Sequence, residues 1–163
     1  MSTTAEQVPQ LASKRINALR SNALAALVML VLEFGLGVFV NLYATIPSSD
    51  HGAMFLTALG DAIANGPLSL AIHAVLGTLL LVTGVICVVR AALTRTAFNR
   101  VLSVIGLIGI LGAWGSGVGF VGTQADGASL SMAIATGVAL LSYTLVVFRT
   151  PRSPVEVPES PTV

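Results

Sequence analysis

The chain has 163 residues, of which 55% are apolar and only 9% are charged, and its net charge is +1. A soluble domain carries about 25% charged residues, so this composition excludes an ordinary soluble fold and indicates a membrane protein. The near-neutral charge gives no reason to expect a nucleic-acid partner, which leaves membrane lipids as the expected surroundings. The single cysteine, Cys87, excludes an intramolecular disulfide.

Four apolar segments are each long enough to cross a bilayer, which needs about 20 mostly apolar residues. They are residues 22–43, 66–89, 101–122 and 129–148. A polar tail, residues 1–21, precedes them. Residues 1 to about 12 are predicted to be disordered, as is the Pro-rich tail, residues 149–163. The first apolar segment is too long for a cleaved signal peptide and lacks a small-residue cleavage site. The sequence therefore predicts an all-α membrane protein, an up-down bundle of four transmembrane helices.

Charge predicts the orientation of this bundle. With four spans, every basic residue falls on one side of the membrane, and the positive-inside rule assigns that side to the cytoplasm. Both termini are then cytoplasmic, and the connections over residues 44–65 and 123–128 lie outside. The eight basic residues are Lys14, Arg15, Arg20, Arg90, Arg95, Arg100, Arg149 and Arg152.

The first span carries an acidic side chain, Glu33, near the middle of the bilayer. A charge at that depth costs about 2.5–3.5 kcal/mol on insertion scales. Glu33, Gly37 and Asn41 are spaced by four residues and therefore share one helix face. Glu33 is either a buried acid that fixes helix packing or a group that handles protons or contacts a ligand, since ionisable residues inside membranes are functional candidates.

The second span carries one histidine, His73, on a stripe of small residues. Such a stripe lets a neighbouring helix approach closely, so His73 is predicted to face protein. At 1.5 Å per residue it lies about 9–10 Å below the start of its helix, the depth of Gly37 on the first helix. If the two helices are neighbours, the imidazole lies over Gly37, with Glu33 below it and Asn41 above it. His73, Glu33 and Asn41 are thus the candidate ligand or proton site.

Glycines dominate the third span, which holds seven of the sixteen in the chain, and Gly115 and Gly119 form a GxxxG pair. A face of small residues predicts close helix packing. Trp114 lies too deep for an interfacial belt and is expected to fill the space that the glycines leave. The predicted packing glycines are Gly37, Gly77, Gly84, Gly109, Gly112, Gly115 and Gly119.

The longest connection contains a predicted amphipathic helix over residues 51–64, because its apolar residues recur at helical spacing. It is expected to lie at the membrane surface over the mouth of the bundle. His51 stands at its beginning and is either a solvated loop residue or a ligand to a metal or haem.

The segments 33–43, EFGLGVFVNLY, and 73–77, HAVLG, together with 115–120, GSGVGF, resemble a family of small, uncharacterised four-helix integral membrane proteins from actinobacteria. The resemblance covers residues 20–148. It implies a bacterial plasma-membrane location but no activity. A histidine near one end of a four-helix bundle is also loosely similar to membrane b-type cytochromes and haem A synthase. Those proteins use several intramembrane histidines, whereas only His73 is present here.

Two classes of function follow. The absence of any Ser/His/Asp set, HExxH motif or Cys pair favours a non-enzymatic bundle that binds a partner or small ligand near its outer face, as a homo-oligomer or within a larger membrane complex. The alternative is a redox protein in which His73 holds haem b or copper, with His51, Met54 or Met132 as second ligand. A small transporter or channel subunit is the third hypothesis.

Overall fold

The structure is a computed structural model that describes residues 4–44, 54–94, 96–123 and 125–150. Across these ranges the elements of secondary structure are five helices joined by short turns, without a strand, which confirms the predicted fold class. Four of the helices are long and apolar enough to span a membrane. The helices are α1 (Thr4–Tyr43), α2 (Phe55–Ala64), α3 (Leu68–Leu93), α4 (Ala97–Thr123) and α5 (Asp126–Arg149). His51, Arg95 and residues 151–163 of the Pro-rich tail lie outside the described residues, whereas Arg149 belongs to α5.

The first helix is much longer than its apolar segment. It begins at Thr4, so the prediction of disorder is wrong for residues 4–12. Residues 4–21 are rich in Ala, Leu, Gln and Arg, which are strong helix formers. Leu19 is fully buried, and the Arg90 guanidinium donates a 2.7 Å hydrogen bond to the Ala18 carbonyl. Hydropathy detects only the part of a helix that lipid surrounds, and therefore missed this extension.

The four long helices form a closed ring in which α1 packs against α3 and α5, and α4 packs against the same two helices. The contact between α4 and α5 is the most extensive. It depends on glycine, because a Cβ on Gly109 would lie 2.8 Å from the Ala135 carbonyl oxygen. One turn away, the ring of Tyr143 covers Gly106, with ring atoms 2.8 Å from the position of a Cβ there.

The basic residues of the described helices gather at one end of this ring. There the Arg149 guanidinium lies 5.2 Å from the centre of the Phe98 ring, a cation–π contact between α5 and α4. In the adjoining turns Asn22 donates hydrogen bonds to the Thr83 carbonyl at 3.2 Å and to Cys87 Sγ at 2.8 Å. We refer to this as the basic end of the bundle.

Two separate apolar clusters fill the interior. The larger, near the basic end, joins all four long helices and contains Leu19, Ala23, Ala26, Leu30, Leu80, Cys87, Ala91, Ile110, Ala139, Tyr143 and Val146. The smaller, at the opposite end, contains Val40, Ala58, Ala62, Leu70, Val118 and Val121.

Helix α2 closes the end of the bundle opposite the basic end. Its alanines, Ala58 and Ala62, are buried in the smaller cluster, and the helix packs on α3 and α4. Of the predicted amphipathic segment 51–64, residues 55–64 form this helix, and residues 51–53 lie outside the described ranges. The layer between the two clusters contains Glu33 and His73.

Candidate functional site

Glu33 of α1 and His73 of α3 meet inside the bundle. The distance from Glu33 Oε1 to His73 Nδ1 is 2.9 Å, and the two side chains are 12% and 17% exposed. Glycine follows each of them four residues later. The His73 ring covers Gly37, with Cε1 3.1 Å from the position of a Cβ, and Glu33 Oε1 lies 2.9 Å from the Cβ position of Gly77. Each helix thus provides the glycine that makes room for the ionisable side chain of the other.

The pair retains hydrogen-bonding capacity. Its two facing atoms, Glu33 Oε1 and His73 Nδ1, are 2.9 Å apart, but the contact lacks the geometry of a hydrogen bond, and Nδ1 has no hydrogen-bond partner among the described residues. Glu33 Oε2 is buried and has no hydrogen-bond partner among the described residues. Since Nδ1 is the ring nitrogen that lies against Glu33, the second ring nitrogen, Nε2, remains for another group. A bound polar group could therefore engage both side chains.

A cavity of ≈ 210 Å³ lies beside this pair, lined by residues from all five helices. Leu30, Leu80 and Ile110 of the larger cluster form its floor towards the basic end, whereas α2 and the smaller cluster close the opposite end. Most of the lining is apolar. The polar lining residues are Glu33, Asn41, His73, Trp114, Ser129 and Thr136.

Two of these polar side chains already have partners within the bundle. The Trp114 indole N–H donates to Thr78 Oγ1 at 3.3 Å, and the Thr136 hydroxyl donates to the Met132 carbonyl at 2.8 Å. Glu33 and His73 are therefore the polar groups at the centre of the cavity with most capacity for a ligand. The cavity has one ionisable pair in an otherwise largely apolar wall, a composition typical of small-molecule sites.

The structure brings together most of the residues proposed for the site. Asn41 lines the same cavity as Glu33 and His73, at an exposed position near the end that α2 covers. Met132 also lines it, with its sulfur 3.4 Å from the position of a Cβ on Gly117. His51 is outside the described residues. Within the described ranges no three His, Cys, Asp or Glu side chains are grouped as a metal site.

The proposed packing glycines fall into two groups. Gly37 and Gly77 form the site itself. Gly84 and Gly109 are at close helix contacts, and Gly112 has the Ala135 methyl 3.3 Å from its Cβ position. A Cβ on Gly115 or Gly119 would meet no atom within 4 Å. Neither glycine lines the cavity, so their Cβ positions face neither a close helix contact nor the site.

Sequence reasoning missed several residues of the cavity wall. Phe34 and Val38 of α1 and Ala133 of α5 line the cavity although each is also exposed on the outside of the bundle. Their apolar side chains look like any lipid-facing residue, so no pattern distinguishes them. Among the wall residues outside the Glu33–His73 pair, only Trp114 could be recognised from the sequence. A lone tryptophan so deep in a span needs a polar partner for its indole N–H, which indicates a position inside the bundle.

Comparisons with protein-family models, with curated proteins and with solved structures find no match for this chain. The geometry of the cavity is therefore the basis for assigning a function.

Proposed function

We propose that this integral membrane protein binds a small ligand with one polar group in the cavity beside Glu33 and His73. One observation carries the proposal: a close carboxyl–imidazole pair, with a buried oxygen that has no partner among the described residues, lines a largely apolar cavity. Leaving a buried polar group unpaired costs about 1–3 kcal/mol. A ligand hydroxyl or carbonyl at the pair offsets this cost, and the apolar wall takes the rest of the molecule.

The cavity volume limits the ligand. At ≈ 210 Å³ it exceeds the roughly 150 Å³ that is enough to hold benzene in an engineered apolar cavity, and it falls below the roughly 300–1,000 Å³ of drug-sized pockets. The occupant is therefore a small ring or one end of a longer molecule.

Haem b or copper is the second candidate, because His73 and Met132 line the same cavity. The imidazole and thioether types suit either metal. A haem macrocycle exceeds this volume, so its binding requires α1 and α5 to separate. A Soret band in the protein expressed with ample haem, lost in His73→Ala, would support the haem hypothesis.

The orientation completes the proposal. The basic end is assigned to the cytoplasm by the positive-inside rule, which places the cavity in the outer half of the bundle and both termini inside. The resemblance to actinobacterial four-helix proteins supports a bacterial plasma membrane. The proposed role is binding, not catalysis.

Trp114 allows a direct test, since it is the only tryptophan in the chain and lines the cavity. Bromine quenches indole fluorescence, so p-bromophenol added to the purified protein in micelles should quench Trp114 in a saturable way. Glu33→Gln and His73→Ala should each weaken binding by about tenfold, the effect of losing roughly 1.4 kcal/mol from one hydrogen bond.

Asn22→Ala is the matched control, because it removes a polar contact at the basic end, away from the cavity. It should leave the quenching curve unchanged. Non-saturable quenching, or identical curves for all four proteins, would refute binding at the pair.

A further inference from the structure

The lining residues of the cavity differ in their exposure from one helix to another. On α3 and α4 every described lining residue is buried or half-buried. The exposed lining residues on the long helices are confined to α1 and α5, and they include Phe34 and Val38, which are 48% and 45% exposed, and Ala133. Near the basic end α1 and α5 are sealed by the larger cluster. The cavity therefore reaches the outside of the bundle between α1 and α5, at the height of the bilayer.

The other route into the cavity is covered. Ala58 and Ala62 of α2 are buried against the ends of α1, α3 and α4 through Val40, Leu70 and Val118. Water-soluble molecules approaching over α2 meet this packed apolar layer. Molecules dissolved in the bilayer meet the opening between Phe34, Val38 and Ala133 directly. We name this opening the lateral portal.

The chemistry of the wall selects the kind of lipid. No Lys or Arg is among the lining residues, and the one side chain there that can become cationic, His73, already faces Glu33, so the cavity offers no unpaired positive charge to a phosphate or carboxylate. The one acidic group, Glu33, already faces His73. A charged headgroup would lose its hydration without gaining a counter-charge, at a cost of several kcal/mol. A neutral headgroup that donates and accepts hydrogen bonds avoids this cost.

We infer that the ligand is a neutral single-chain lipid, with a hydroxyl or similar headgroup, that enters from the bilayer through the lateral portal. This rests on the proposed function and specifies its ligand. The headgroup binds at Glu33 and His73, and the chain passes between Phe34 and Ala133 into the membrane. A cavity of ≈ 210 Å³ has no room for the headgroup and two chains of a phospholipid.

The test uses the full chain in phosphatidylcholine vesicles and follows Trp114 fluorescence. The probe is 2-bromohexadecan-1-ol, whose bromine lies next to the hydroxyl. We expect saturable quenching above the linear background given by brominated phosphatidylcholine. The anionic 2-bromohexadecanoic acid should bind at least about tenfold more weakly, since it brings a charge that the cavity does not pair.

Two variants test the portal itself. Ala133→Phe and Val38→Phe narrow it from opposite sides and leave Glu33 and His73 themselves unchanged. Each should slow quenching by the alcohol in stopped-flow mixing by about tenfold, the effect of roughly 1.4 kcal/mol on a barrier. Ile134→Phe is the control, because Ile134 is 60% exposed on α5 and does not line the cavity.

The outcomes separate the two proposals. If p-bromophenol quenches saturably but the alcohol quenches no more than brominated phosphatidylcholine, the lateral portal is wrong and the small-ligand site survives. If neither probe saturates, both proposals fail. Equal quenching rates in Ala133→Phe, Val38→Phe and Ile134→Phe would also overturn the portal, provided that circular dichroism shows all three folded.

Discussion

The contact between α4 and α5 gives the sharpest prediction about packing. In Gly109→Ala the new methyl carbon would lie 2.8 Å from the Ala135 carbonyl oxygen and 3.0 Å from the Ala139 backbone nitrogen. Both neighbours are backbone atoms, so no side-chain rotation relieves the overlap and the two helices must separate by roughly half an ångström. A gap of that size removes about a quarter of the dispersion attraction of each affected atom pair. Overpacking of this kind typically costs about 1–3 kcal/mol.

Gly115→Ala is the matched control on the same helix. Its methyl would meet no atom within 4 Å, yet it brings the same gain in helix propensity, at most about 1 kcal/mol. Because that gain is common to both variants, their difference isolates the overpacking at Gly109. We expect Gly109→Ala to be less stable than Gly115→Ala by about 1–3 kcal/mol.

The assay is reversible unfolding in mixed micelles with an increasing fraction of dodecyl sulfate, followed by far-ultraviolet circular dichroism and analysed as a two-state transition. The free energy of unfolding of each variant is compared with that of the wild type. Surface substitutions usually change the free energy of unfolding by less than about 0.5 kcal/mol. A difference between Gly109→Ala and Gly115→Ala within that range would show that α4 and α5 do not approach as closely as described.

Two further predictions concern the site and the orientation. Glu33→Ala, His73→Ala and the double variant should show a coupling energy of about 0.5–3 kcal/mol in the same assay, since residues in contact are not additive; additive losses would mean that the 2.9 Å contact contributes no stability. In a Cys87→Ser background, Ala125→Cys should react with an impermeant thiol reagent in intact cells and Thr94→Cys should not, because the basic end is assigned to the cytoplasm. Labelling of Thr94→Cys but not of Ala125→Cys would reverse the orientation.

The sequence by itself determined the class of protein and the number of spans. Long apolar segments must be helical in lipid, because every backbone polar group has to be satisfied within its own segment. The same rule explains why the structure agrees with the predicted fold. Hydropathy gives no information on a helix that leaves the membrane, and for this reason the extension of α1 to Thr4 was missed.

Part of the site could also be predicted from the sequence. The four-residue spacing from Glu33 to Gly37, and from His73 to Gly77, sets their faces, and the rise per residue sets their depth. The structure places the His73 ring over Gly37, as this reasoning predicted. Glu33 Oε1 lies 2.9 Å from His73 Nδ1. Polar residues are rare inside spans, so each one carries a strong signal.

Only the tertiary structure decided which glycines are close contacts and where space remains. Gly109 and Gly115 occupy equivalent positions in the sequence pattern. A Cβ on Gly109 would meet the backbone of α5, whereas a Cβ on Gly115 would meet no atom within 4 Å. Likewise Phe34 and Ala133 line the cavity although their chemistry matches any lipid-facing position. A one-dimensional pattern gives the face of a helix but not the distance to its neighbour, and a cavity exists only where several such distances are large together.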